Sequence, residues 1–207
     1  MTEHPQGTPD AGLERFKVRQ KLTLMVNRYE VLGVDAGGTE TGVICFAEQK
    51  RMAFKEQVTF YSDASKSLVV FGFKARQVMD IGATYDVVDS AGRPIGWFKK
   101  DFGKSLLRST WHLGTSDGLT ATGQERNQKV AILRRVWEMI PVIGEIPVPF
   151  LFHFDFLAPD GSVVLSSVKK AGIKDVYSVE VPASGGRRLD WRVAAAMAVA
   201  LDALQSR

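Results

Sequence analysis

The segment that most constrains the fold is a run of nine apolar residues at 193–201, near the C-terminus. Asp190 precedes this run and can cap a helix, because its carboxylate can accept hydrogen bonds from the first free amides. A helix that is apolar on every side is either enclosed on every side or crosses a membrane. Nine residues between Arg192 and Asp202 are too few for a crossing, which needs about 20. The run therefore predicts a thin, alanine-rich helix enclosed by other elements.

The chain before this helix consists of short apolar runs separated by turn residues, which is typical of an antiparallel sandwich or barrel. No long helical pattern interrupts the runs up to about residue 113, so a doubly wound parallel sheet is disfavoured. The predicted strands are 16–22, 29–33, 41–47, 57–61, 68–75, 84–89, 94–99, 107–113, 150–157, 162–168 and 176–181. The sequence thus predicts one mainly β domain over 15–207, a closed antiparallel barrel threaded by its own C-terminal helix.

Two segments stand outside this pattern. Residues 1–14 are polar and rich in Pro and Gly, with no cationic start and no apolar run, which predicts a loose tail rather than a signal peptide. Residues 124–140 place apolar side chains at helical spacing, and Pro141 would end that helix. With the Pro-rich stretch that follows, they predict an insertion at 124–149 that could contact a protein partner.

Charge and cysteine content limit the compartment and the partners. The net charge is +4, from 27 basic and 23 acidic residues, which permits contact with anionic lipid or nucleic acid without requiring it. The only cysteine, Cys45, can form no internal disulfide and is expected to be a buried, inert thiol in a strand. With no candidate transmembrane segment, the protein is expected in the cytoplasm, either free or at the membrane periphery.

No catalytic or metal-binding constellation is apparent in the sequence. His153 and Asp155 share a strand face, but two ligands do not make a metal site. Ser105 and Ser109 lie near His112 along the chain, which says nothing about their geometry. The sequence therefore predicts a protein that is not an enzyme and that uses no metal or cofactor.

One loop offers an alternative to this non-enzymatic interpretation. Residues 33–42 read GVDAGGTETG, which resembles the first phosphate loop of sugar kinases and actin-like ATPases. Those enzymes need two α/β domains and a second glycine loop, neither of which the sequence offers. Asp-Ala-Gly-Gly is also good turn chemistry for a hairpin, so the segment from Asp35 to Thr39 is predicted as a turn, with nucleotide binding as the alternative.

Basic residues form the strongest candidate binding site, in a cluster between residues 99 and 108. Two further basic clusters occur at 169–174 and 187–188, and for each of the three clusters a solvated surface is the alternative. Several cations on one surface attract anionic head groups, at about 1 kcal/mol for each charge. Nucleic acid is disfavoured, because basic and aromatic residues do not interleave as a stacking platform. The predicted lipid-binding residues are Lys99, Lys100, Lys104 and Arg108.

A weak internal repeat links two of the predicted hairpins. Tyr85-Asp86 precedes a turn glycine and a lysine pair, and Phe154-Asp155 does the same. The spacing from aspartate to glycine is six residues in both. A duplicated hairpin and coincidence both account for this similarity.

Motifs along the chain also occur in a recognisable order. They are FKVRQKL at 16–22, AFKE at 53–56, FKAR at 73–76, YDVVDSAG at 85–92, KSLLRSTW at 104–111 and LDW at 189–191. With them and its apolar last helix, the chain resembles the tubby C-terminal-like superfamily, and within it the plant LURP-one-related proteins and the phospholipid scramblases. The resemblance covers nearly the whole chain after the tail and implies a barrel of about twelve strands around a central hydrophobic helix.

The same resemblance implies a connection to lipids. Tubby proteins bind phosphoinositides, scramblases are associated with lipid movement, and the plant group is linked to defence. The chain departs from the scramblases in having neither a cysteine cluster for palmitoylation nor a calcium loop of the EF-hand type. Calcium-driven scrambling is therefore not expected, and anionic phospholipid or phosphoinositide head groups are the expected ligands of the basic cluster.

Overall fold

The computed structural model describes residues 12–22, 26–50, 57–76, 84–101, 110–126, 153–170 and 176–205. Within these ranges the chain forms twelve strands and one helix. The strands are β1 (Arg15–Leu22), β2 (Val26–Val34), β3 (Glu40–Lys50), β4 (Gln57–Tyr61), β5 (Val69–Ala75), β6 (Thr84–Asp89), β7 (Pro94–Asp101), β8 (Thr110–Thr115), β9 (Thr120–Glu125), β10 (His153–Leu157), β11 (Val163–Lys170) and β12 (Val176–Glu180), and the helix is α1 (Trp191–Gln205). Each strand pairs antiparallel with its sequence neighbours, and β1 pairs with β12 to close the barrel. The predicted fold class is confirmed.

Helix α1 fills the barrel, as the sequence predicts. All eight residues at 193–200 are completely buried, with relative exposures of 0%. The Asp190 carboxylate accepts a hydrogen bond from the Arg192 amide at 2.8 Å, which caps the helix. On β7, a Cβ added to Gly96 would lie 2.8 Å from a methyl group of Val193, so the absence of a side chain lets the helix pass close to this strand.

Aromatic side chains fill much of the space between the strands and the helix. Phe60 and Phe71 stack with their ring centroids 4.0 Å apart, and Trp191 meets the edge of Phe71 at 5.5 Å. At the other end of the helix, the carboxylate of Asp202 accepts hydrogen bonds from the hydroxyls of Tyr29, at 2.9 Å, and of Tyr177. The helix is therefore held at its start by packing and at its end by two polar contacts to the wall.

Strand β9 is the element that the sequence prediction missed. Its inward positions are occupied by Ala121, Gly123 and Glu125, which are small or polar residues. The strand therefore shows no apolar alternation. The predicted helix over 124–140 is wrong at its start, because Gln124 and Glu125 belong to β9. The remainder of the predicted insertion at 124–149 lies outside the described residues, apart from Arg126, whose amide extends the pairing to β10.

The two hairpins of the internal repeat, β6–β7 and β10–β11, have equivalent structures. On β6, both Asp86 oxygens accept hydrogen bonds from Arg76, which directly follows β5. On β10, both Asp155 oxygens accept hydrogen bonds from Arg126, which directly follows β9. The pairing register also shifts at the same place in both hairpins, between residues 87 and 88 of β6 and between residues 156 and 157 of β10. In each case the shift begins one residue after the aspartate. The repeat in the sequence therefore corresponds to a repeated hairpin architecture.

Candidate functional site

The structure describes two of the four residues of the predicted basic cluster, Lys99 and Lys100. Lys99 and Lys100 are consecutive on β7, so their side chains point to opposite faces of the wall. Lys99 is exposed on the outer face, whereas Lys100 lies on the inner face, with its ammonium 5.8 Å from the ring centre of Trp111. The other two predicted residues, Lys104 and Arg108, lie outside the described residues.

Lys99 differs from most other cations of the barrel. Lys50 and Lys170 lie in described strands, but their side chains are outside the description. Among the Lys and Arg side chains that the structure does describe, Lys74 and Lys99 are the two with neither an ion pair nor an aromatic ring beneath the charge. Both are exposed on the outer face, Lys74 on β5 and Lys99 on β7. Sequence reasoning missed Lys74, because it lies outside any basic run.

Lys99 lies beside an open cleft on the outer face of β7–β10, which we call the outer-wall cleft. The cleft encloses about 670 Å³. Trp97, one of its lining residues, lies against Gly114 of β8, since a Cβ added to this glycine would be 2.7 Å from the indole ring. The lining residues are Trp97, Lys99, His112, Leu113, Thr120, Ala121, Thr122, Gln124, Leu157, Ala158, Pro159 and Gly161.

A histidine in this cleft is held by two neighbouring strands. His112 Nδ1 lies 3.1 Å from Thr122 Oγ1 on β9, and its Nε2 lies 3.2 Å from Asp101 Oδ2 on β7. A histidine of this kind could act as a base in acyl transfer, but that reaction also requires hydrogen-bond donors directed at a developing oxyanion. Strand β8, which carries His112, pairs with β7 and β9, so its backbone amides are used within the sheet. The arrangement orients the imidazole in the cleft. Ser105 and Ser109, which lie near His112 along the chain, fall outside the described residues.

In the other two basic clusters, the described side chains of Lys169, Arg187 and Arg188 are engaged in internal contacts. Arg187 donates to the carboxylate of Asp117 at 2.7 Å, and Arg188 donates to the Gly12 carbonyl at 2.9 Å. The Lys169 ammonium lies 5.6 Å from the ring centre of Tyr177, an arrangement that matches Lys100 over Trp111. These contacts connect strands and turns, so these three side chains are less available to a ligand than their sequence suggests.

The loop that resembles a phosphate loop is a hairpin turn between β2 and β3. Asp35 Oδ1 accepts a hydrogen bond from the Thr39 amide at 2.8 Å, and the Asp35 amide donates to the Thr39 carbonyl at 3.0 Å. Gly38 has φ of 85°, which other residues adopt with strain. The turn prediction is confirmed, and the Asp35 carboxylate, which would place a metal in a kinase, is used to close the turn.

Two further predictions concern single residues and metals. Cys45 is completely buried, and burial raises the pKa of its thiol, as expected for an inert cysteine. Across the described ranges, no group of three or more His, Cys, Asp or Glu side chains is placed to hold a metal ion. Nor does any helix in those ranges have the length and apolar character required to cross a membrane.

The comparison with protein families agrees with the barrel architecture. A family model described as LURP-one-related matches residues 43–202, from β3 through most of α1. The match therefore includes the outer-wall cleft, Lys74 and Lys99. No curated protein matches the chain.

Proposed function

The chain belongs to the LURP-one-related family, and from this premise we propose that it is a non-enzymatic barrel that binds anionic phospholipid head groups at a membrane surface. The observation that carries the proposal is the pair of uncompensated lysines, Lys74 and Lys99, on the outer face of β5 and β7. A cation that already has a carboxylate partner gains little from a second anion. A cation without one retains its full attraction for a head group.

The surroundings of these lysines support the same proposal. Strand β7 leads from Lys99 towards Lys104 and Arg108, so further positive charge follows in the sequence. The net charge of +4 adds a weak general attraction to anionic surfaces. An exposed outer wall that combines cations with Trp97 also matches the chemistry of a membrane interface, where indole rings are favoured.

Co-sedimentation with vesicles tests the proposal. Neutral phosphatidylcholine vesicles are compared with vesicles that also contain phosphatidylserine or a phosphoinositide, at low and moderate salt. We expect binding to the anionic vesicles alone, and weaker binding as salt rises, because exposed charges are screened. Replacing Lys74 and Lys99 together by Gln should weaken vesicle binding about 30-fold, from about 1 kcal/mol for each charge.

A matched control removes the same number of charges elsewhere. Lys17 and Lys21 are ion-paired with Glu40 and Glu30 on the outer face of β1–β3, so replacing both by Gln should change vesicle binding much less. Equal losses of vesicle binding in the two double variants would mean that binding depends only on the net charge of the protein and not on the positions of Lys74 and Lys99. No binding to any vesicle would refute the proposal and direct the search to protein partners of residues 124–149.

A further inference from the structure

We propose that the outer-wall cleft binds a small soluble anion that carries a flat apolar ring, such as an aryl sulfonate or an aryl carboxylate. The proposal goes beyond membrane attachment, because the cleft can hold such a molecule without a bilayer. Its volume of about 670 Å³ lies within the usual range for small-molecule sites, about 300–1,000 Å³. Three features of its lining define the ligand class.

The first feature is the aromatic surface of Trp97. The indole lies against the backbone of β8 because Gly114 has no side chain to lift it away. Trp97 remains partly exposed in this position and forms part of the cleft lining. An immobilised indole favours a flat apolar partner, since aromatic rings gain from offset stacking beyond the area that they bury.

The second feature is an unbalanced positive charge. The described lining includes the ammonium of Lys99 but no aspartate or glutamate. Lys99 has no ion pair in the described structure, and the nearest carboxylate contact of His112 is to Asp101, which lies outside the lining. An anionic group beside Lys99 would therefore gain a partner without displacing one.

A second depression on the barrel shows the contrast. The depression over β2–β4 is lined by basic and acidic side chains that already pair with one another. Lys21 pairs with Glu30, and Arg28 and Lys66 both pair with Glu48, at 2.9 and 2.6 Å. An incoming anion there would have to compete with resident carboxylates, so an unbalanced positive charge distinguishes the outer-wall cleft.

The third feature is the opposite side of the cleft. Leu157 has a relative exposure of 44%, which is high for a large apolar side chain in a strand. With Pro159, it faces the cleft across the hydroxyl-bearing residues Thr120 and Thr122 of β9. Leu157 and Pro159 thus extend the apolar surface of the cleft beyond Trp97. A ring stacked on Trp97 would direct its anionic substituent towards Lys99, two residues along β7 on the same face.

Three probes separate ring from charge in a direct test. Naphthalene-2-sulfonate has both, naphthalene-2-sulfonamide has the ring without the charge at pH 7, and methanesulfonate has the charge without the ring. We expect the first to bind most tightly in calorimetric titrations of the whole protein. We expect its amide shift changes, followed by NMR, to centre on residues 112–114 and 120–124. Equal affinity for naphthalene-2-sulfonate and either other probe would overturn the proposal, as would shift changes centred elsewhere.

Variants then assign the contacts. Trp97→Ala should weaken naphthalene-2-sulfonate binding about threefold to tenfold, and Trp97→Phe should weaken it less, because a ring remains. Lys99→Gln should weaken it about fivefold and leave sulfonamide binding unchanged. Lys21→Gln is the matched control and should bind like the parent.

The variants also separate this proposal from membrane binding. Parent-like affinity for naphthalene-2-sulfonate in both Trp97→Ala and Lys99→Gln would overturn the cleft proposal, whatever the vesicle result. The absence of calorimetric binding at millimolar probe would overturn it as well. Vesicle binding does not require the soluble probe to bind, so either proposal can fail alone.

Discussion

Two regions of the outer wall contain similar residues but differ in how their charges are arranged. On β1–β3, Lys17 and Arg19 share the carboxylate of Glu40, at 2.9 and 3.0 Å. On β7–β10, Lys99 lies in a cleft whose described lining has no carboxylate. We call the first region, on the outer face of β1–β3, the paired wall. The difference teaches that the availability of a cation depends on its cross-strand neighbours, which the number of basic residues in a segment does not reveal.

Both regions are walls of one barrel that encloses α1. The substitution with the largest expected effect tests this enclosure. Ala196 has a relative exposure of 0% in the centre of the helix. Ala196→Asp would place a charge without a partner in an apolar core, which costs more than about 4 kcal/mol. We therefore expect the variant not to fold. Circular dichroism should show no cooperative thermal unfolding, and neither the paired wall nor the outer-wall cleft should form.

A matched control uses the same substitution at the surface. Ala183 is exposed in the segment between β12 and α1, so Ala183→Asp should unfold close to the parent temperature. A parent-like melting temperature for Ala196→Asp would contradict the enclosed position of the helix.

The next prediction concerns pH and belongs to the paired wall. A hydrogen bond from Lys66 lowers the pKa of Glu48; burial opposes this shift and Arg28 adds to it. A lowered folded-state pKa stabilises the protein above the unfolded-state pKa, near 4.3, and this stabilisation is lost as pH falls through the folded-state pKa. Glu48→Gln should therefore be less stable than the parent at pH 7, by up to about 1 kcal/mol.

Urea unfolding at pH 7, 5 and 3 measures this linkage. The difference in unfolding free energy between the parent and Glu48→Gln should shrink as the pH falls, because the parent loses the charge that the variant lacks. A difference that stayed constant from pH 7 to pH 3 would mean that the ion pairs of Glu48 contribute nothing to folding.

The sequence predicts the barrel better than it predicts the site, for identifiable reasons. The run at 193–201 is apolar on every side, so its enclosure follows from a local pattern. Strand β9 is not predictable in this way, because Ala121 and Gly123 face inwards beside larger neighbours and leave no apolar alternation. An inward glycine is explained only by its partner: a Cβ at Gly123 would lie 2.3 Å from the Phe156 ring on β10.

The outer-wall cleft shows the same limit. Lys99 could be selected from the sequence because it lies in a basic run, but the run also contains Lys100, which faces inwards. Trp97, Thr122 and Leu157 come together only when β7, β9 and β10 are aligned across the sheet. Register between strands is set by bulges and turns distributed along the chain, so the cleft could not be read from any one segment.

The smallest predicted effect converts one region into the other. Thr84 on β6 is directly opposite Lys99 on β7 and is not part of the described cleft lining. Thr84→Glu should give Lys99 a cross-strand carboxylate and thereby reproduce the arrangement of the paired wall. Such a pair changes the free energy of unfolding by less than about 1 kcal/mol.

We expect naphthalene-2-sulfonate to bind threefold to fivefold more weakly to the Thr84→Glu variant by calorimetry, because the probe must then compete with the new carboxylate. Thr84→Gln has nearly the same size without the charge and should retain parent-like affinity. If Thr84→Glu bound the probe as tightly as Thr84→Gln, the absence of a counter-charge would not be what distinguishes the cleft from the paired wall.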